Sequence, residues 1–179
     1  MGHIIIISGP PGAGKSTVSR ILSEKSPHDL TVYVHTDDFY NNIRKGYIAP
    51  WKPGAEKQNK MVSNIMVSCA KHYAEAGYEV VVDGLIGDWA LNDWIDAVCD
   101  EIKIHYIIIF PSIETMFNRN KIRDTKLNDE DIHAMTGLYN AISGWKFFKS
   151  HSIDSSKQDP DETATVIRNM INTGCLLIN

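Results

Sequence analysis

The stretch Gly9-Pro10-Pro11-Gly12-Ala13-Gly14-Lys15-Ser16 limits what this chain can fold into more than any other. It matches G-x-x-x-x-G-K-[S/T] in full, and Thr17 follows. Ahead of it, Ile4 to Ile7 and Ser8 form a short apolar run suited to a strand covered on both faces. A helix is expected behind it, over residues 15–24. Strand, glycine turn and helix in that order aim backbone N–H groups and a helix dipole at one point, where phosphate would sit. Lys15 would reach the β- and γ-phosphates, and Ser16 Oγ would ligate Mg²⁺. The expected nucleotide site is Gly9, Pro10, Pro11, Gly12, Ala13, Gly14, Lys15, Ser16 and Thr17, with ATP and Mg²⁺ as its ligands.

The rest of the chain alternates between strand and helix signals. Strands are expected at residues 31–36, 79–83 and 103–110, with a short last one in "HSID" at 151–154. A helix without Gly or Pro is expected over 55–76, stopped by Gly77, and another over 89–99. Ser112 caps a helix to about residue 123, with Glu114 in its first turn, and Asn128 caps a helix over 129–148. Asp159-Pro160-Asp161-Glu162 combines a cap, a proline at the first position and Glu at N3, opening a helix to about 173. Such alternation implies one α/β domain over 1–179, a parallel sheet with helices on both faces. Ligands of such sheets bind beyond the carboxyl ends of the strands, where the polar clusters at 9–17, 35–40, 83–88, 111–124 and 151–154 fall.

A net charge of −4 and ordinary hydrophobic and charged fractions, 43% and 22%, argue against a surface specialised for nucleic acid. No run reaches the roughly 20 apolar residues of a membrane span, and no secretory signal pattern opens the chain. Cys69, Cys99 and Cys175 lack zinc or disulfide spacing and are expected as buried small residues, which suits a reducing cytosol. The histidines His3, His28, His35, His72, His105, His133 and His151 show no metal-ligand spacing; only His35 and His151 follow strands at the expected site edge.

Two segments carry carboxylates to that edge. "VVVD" ends in Asp83, placed as a strand-end carboxylate would be to hold Mg²⁺ through water. "HTDDFY" supplies Asp37 and Asp38. Phosphoryl transfer needs a group that takes the acceptor's proton, and Asp37, at the end of a strand expected beside the Gly9–Thr17 strand, is the candidate base. Asp38 would orient a substrate or cap the next helix. The loop over 38–54 holds Tyr40, Arg44, Lys45, Tyr47 and Trp51, which can close over a small molecule. Trp51 reads as a stacking wall or as a packed anchor; Arg44 and Lys45 read as partners of an anionic acceptor or as surface charge. Gly84 and Gly87 in "DGLIGDW" would allow close approach or movement of the opposite wall.

With "GPPGAGKST", "VYVHTD", "YIAPW", "VVVDG" and "RNKIR" in that order, the chain resembles the small-molecule kinases of the P-loop class, most closely the group containing chloramphenicol phosphotransferase and gluconate-kinase-like proteins. The resemblance implies a nucleoside-kinase-like three-layer P-loop NTPase fold with a five-stranded parallel sheet and a helical lid. It implies that Asp37 is the base that contacts the acceptor hydroxyl. It implies that Arg119 and Arg123, spaced i, i+4, belong to a lid at about 118–135 and neutralise charge on the transferred group. "HSIDSS" resembles the family's loop near the adenine. The implied activity is ATP-dependent transfer to a hydroxyl of a sugar, sugar acid, nucleoside or antibiotic-like molecule. An NTPase switch acting on a protein partner, a non-catalytic ATP-binding protein and a polynucleotide 5′-hydroxyl kinase are the alternatives.

Overall fold

A computed structural model of the chain describes residues 2–122 and 129–178. The elements are β1 (His3–Ser8), α1 (Lys15–Glu24), β2 (Thr31–His35), α2 (Thr36–Asn41), α3 (Glu56–Glu75), β3 (Glu79–Asp83), α4 (Asp88–Ala97), β4 (Lys103–Ile109), α5 (Ile113–Ile122), α6 (Asp129–Ile142), α7 (Phe148–His151), β5 (Ser152–Ile153) and α8 (Pro160–Asn172).

The five strands pair in parallel in the order β2-β3-β1-β4-β5. Their carboxyl ends therefore line up at one edge: His35, Asp83, Ser8, Ile109 and Ile153. β1 lies at the centre and its four isoleucines have no exposed surface. The pleat sends them to opposite faces. Ile4 and Ile6, with Val80, Val82, Ile104 and Tyr106, pack with Val62 and Met66 of α3 and Leu91 and Trp94 of α4. Ile5 and Ile7, with Val81, Ile107 and Ile109, pack with Val18 and Leu22 of α1 and Ala164 and Ile167 of α8. The expected three-layer α/β architecture is the one observed.

Four expectations change. β3, not β2, is the neighbour of β1, so Asp37 follows the edge strand of the sheet rather than the strand beside the phosphate loop. The helix expected over 129–148 ends at Ile142: Gly144 and Trp145 close a turn onto Ala141 and Ile142 carbonyls, and α7 begins anew. His151 ends α7, ahead of β5, and is buried beside Tyr106 and Phe147 instead of following a strand. Cys99 and Cys175 are exposed and Cys69 is half-buried, because the first two lie in turns after α4 and α8. Two of the three expected helix starts hold, and the third, at Asn128, lies outside the described residues. Ser112 Oγ accepts Thr115 N–H at 3.2 Å, and Asp159 and Glu162 form a full capping box ahead of Pro160. Among the described residues no helix is long and apolar enough to cross a membrane.

The amino ends of β1 and β3 carry a buried polar layer. Glu79 is 1% exposed and both its oxygens accept from Arg168 of α8, at 2.6 and 2.7 Å. Burial alone would raise its pKa, but Arg168, His3 and Ser26 outweigh burial and hold it at about 2. Burial, with His3 adding, lowers His105 to about 4. The Glu79 charge stabilises the fold above its ordinary 4.5 and that contribution disappears as pH falls toward 2. His105 is favoured neutral, so stability is also lost as pH falls from 6.5 toward 4. Both act in one direction. The urea midpoint is expected to decline from about pH 6.5 downward and more steeply below about 4.5; a midpoint flat from pH 7 to 4 would contradict this account.

Candidate active site

The phosphate loop is held open by glycine geometry. Gly9 has φ 142° and Gly12 φ 80°, both in the left-handed half of the map. A Cβ on Gly9 would lie 2.2 Å from the Ile109 carbonyl oxygen, and one on Gly12 2.0 Å from Asn120 Nδ2. α1 begins after Gly14 with no side-chain cap, so its first backbone N–H groups face the loop's concavity. Lys15 Nζ donates to the Pro10 carbonyl at 3.0 Å, folded back across the loop.

α5 braces that loop from the β4 side. Asn120 Nδ2 donates to the Pro11 carbonyl at 3.2 Å. Arg119 donates through Nη1 to the Ala13 carbonyl at 2.9 Å and to Ser155 Oγ at 3.2 Å, and through Nη2 to the Ser155 carbonyl at 2.9 Å. A cleft of about 290 Å³ opens there, lined by Gly12, Ala13, Gly14, Thr17, Arg119 and Ser155 among others. Arg119 is thus tied to the loop backbone and to the segment after β5. Arg123 and most of the expected lid's connection lie outside the described residues.

Asp83 is the hub of the other side. It is fully buried at the end of β3. Its Oδ2 accepts from Ser16 Oγ at 2.7 Å. Its Oδ1 meets Tyr33 OH at 2.9 Å and His35 Nδ1 at 2.7 Å. Burial, with the Asp83 charge next, pushes the Tyr33 hydroxyl well above its ordinary range, so it stays a donor. Burial works against a charge on His35, but the bond to Asp83 and the charges of Asp83, Asp37 and Asp38 outweigh it and raise its pKa. A hydroxyl and a carboxylate 2.7 Å apart, at the mouth of a phosphate loop, are the oxygen donors a Mg²⁺ ion takes.

His35 leads outward from this hub. Its Nε2 stands 3.6 Å from Asp37 Oδ2, and the Asp37 side chain is 72% exposed. Asp37 and Asp38 sit in the first turn of α2, which has no side-chain cap; Asp38 is no cap residue. Gly84 packs on this turn, since a Cβ there would lie 2.1 Å from Thr36 Oγ1. The wall beyond it is pinned: Ile86 N–H donates to Ser8 Oγ and its carbonyl accepts from Tyr106 OH. Leu85 and Trp89 face solvent from that wall.

The loop after α2 is fastened at its base and open at its tip. Tyr40 OH donates to Asn59 Oδ1 at 3.3 Å, Asn59 Nδ2 donates to the Pro50 carbonyl, and Gln58 exchanges two bonds with the Ile48 backbone. Trp51 is 80% exposed, which removes the packed-anchor reading, and Arg44 and Tyr47 are exposed too.

Tyr33 was not expected in the site, and Asn120 and Ser155 were expected there only as parts of the segments "RNKIR" and "HSIDSS", with no role of their own. Tyr33 had a signal: in "TVYVH" Thr31, Tyr33 and His35 alternate onto the face that carries Asp83, and β2 pairs His35 with Asp83. For Asn120 and Ser155 the signal reached only their segments, "RNKIR" and "HSIDSS"; their bonds to the loop and to Arg119 come from the folded chain.

The AAA_18 family, described as an AAA domain, matches residues 5–136. Cytidylate kinase of Archaeoglobus fulgidus is 26% identical over 152 residues, 84% of this chain and 77% of that protein. Among solved structures, the Deinococcus radiodurans tunicamycin resistance protein superposes with a TM-score of 0.68 at 21% identity, covering 100% of this chain and 99% of that one. A sugar kinase from Janibacter has a TM-score of 0.67 at 12% identity over 98% and 96% of the two chains. The chain belongs to the AAA_18 family and has the fold of P-loop kinases.

Proposed function

We propose that this protein transfers the γ-phosphoryl group of Mg·ATP to a hydroxyl of a small molecule in the cytosol. The observation that supports it best is the bonded line from Ser16 through buried Asp83 to His35, with the solvent-open Asp37 at its end. It links the phosphate side of the edge to a carboxylate that an acceptor can reach. Gly9 to Thr17 would hold the phosphates, with Ser16 and Asp83 holding the Mg²⁺. When bound, Mg·ATP supplies the phosphoryl group, the bond to ADP breaking as the bond to the acceptor oxygen forms.

Asp37 takes the acceptor's proton as that bond forms, and Lys15 and Arg119 offset charge on the transferred group. Arg123 belongs to the same proposal by its i, i+4 spacing from Arg119. Asp38, Tyr40, Arg44, Trp51 and Gly84 shape the acceptor side. Exposed Trp51 and Tyr47 suit a ring or other flat apolar face on the acceptor.

ADP release from Mg·ATP, with sugars, sugar acids, nucleosides, nucleoside monophosphates and hydroxylated antibiotics in turn, tests this reading. The similarity to a cytidylate kinase puts CMP in the panel. One acceptor class should raise turnover well above the basal rate, with phosphate recovered on the acceptor. A basal rate that no acceptor changes would point instead to an NTPase acting on a partner.

A further inference from the structure

We propose a transition-metal site at the opposite pole of the sheet, formed by His3, His28 and Glu79, with Zn²⁺ as the ion that fits best. It is independent of the nucleotide reading. His3 opens β1, Glu79 opens β3 beside it in register, and His28 lies in the connection between α1 and β2. One donor atom from each falls within 4.8 Å of the other two. Glu79 Oε2 stands 2.9 Å from His3 Nε2 and 3.7 Å from His28 Nε2. Two donors on one tetrahedral zinc lie about 3.4 Å apart, between those values.

The second observation concerns His3 itself. Its Nε2 is buried and, despite the nearby carboxylate oxygen, has no hydrogen-bond partner of acceptable geometry. A buried imidazole nitrogen left in that state beside a carboxylate oxygen, with a second imidazole ring 5.0 Å away, is placed as a metal ligand would be. Arg168 holds both Glu79 oxygens and fixes the carboxylate's direction, as partners outside a metal's ligand set do. Its charge also opposes a cation, so two imidazole nitrogens must supply the affinity. That donor set favours Zn²⁺ over Mg²⁺ or Ca²⁺, which take oxygen. His28 has half its side chain exposed, so water has access to complete the coordination. Occupied, the site would tie the α1–β2 connection to the first residues of two central strands.

The test uses the full chain, dialysed against chelator and then titrated with Zn²⁺ by calorimetry and thermal melting without nucleotide. Saturable binding of one ion per chain is expected, with Tm rising by about 5–10 °C at a hundredfold excess over Kd. Mg²⁺ at the same concentration should give no such shift. His28→Ala removes a half-exposed ligand and should weaken binding at least about tenfold while the metal-free melt stays unchanged. His72→Ala, an exposed histidine elsewhere, should bind as the parent does. Absence of saturable binding, or a His28→Ala variant that binds Zn²⁺ as tightly as the parent, would overturn the proposal.

Discussion

Asp37→Asn is expected to lower kcat for the productive acceptor roughly 10²–10⁴-fold, the usual span for loss of a general base, with ATP affinity unchanged. Asparagine keeps the shape and loses the ability to take a proton. The fold should hardly notice: the side chain is 72% exposed and His35 Nε2 stands 3.6 Å away. If Asp37 acts only as the acceptor's oxygen is activated, kcat and kcat/KM fall together.

Asp83→Asn makes the contrast. It disturbs three partly buried bonds, to Ser16, Tyr33 and His35, so it should lower Tm as well as turnover. An Asp37→Asn enzyme with parental kcat would leave that carboxylate only the electrostatic role of an acid in the first turn of a helix. The base would then have to be sought deeper along the line, at His35 or Asp83.

Much of this was legible because it is local. The phosphate loop announces itself in nine residues, and Gly9 and Gly12 sit where the backbone must take a positive φ. The capping box at Asp159 and the strand-end position of Asp83 were equally readable. Strand order was not. Whether β2 or β3 lies beside β1 is decided by pairing between distant segments, and that moved Asp37 one strand further from the loop than its place in the sequence suggests. Arg119 shows the same limit: its helix was predictable, its bonds to Ala13 and Ser155 were not. The histidines gave no spacing signal for metal because His3, His28 and Glu79 meet only when β1 and β3 pair in register. The split between α6 and α7 went unread because a single Gly144 is a weak breaker, and the turn is fixed by packing.

Arg168→Met should cost the fold about 3–5 kcal/mol, because it leaves a fully buried carboxylate without its bidentate partner. At 2–4 °C per kcal/mol for a chain of this size, Tm falls by roughly 6–20 °C. The loss belongs to the pair, not to the arginine. Glu79→Leu combined with Arg168→Met should recover most of it, since an apolar pair of similar bulk carries no desolvated charge. Urea unfolding of the two single variants and the double variant measures that coupling directly. A cost of only about 1 kcal/mol would mean that other neighbours of Glu79, among them His3 at 2.9 Å, support the carboxylate without Arg168.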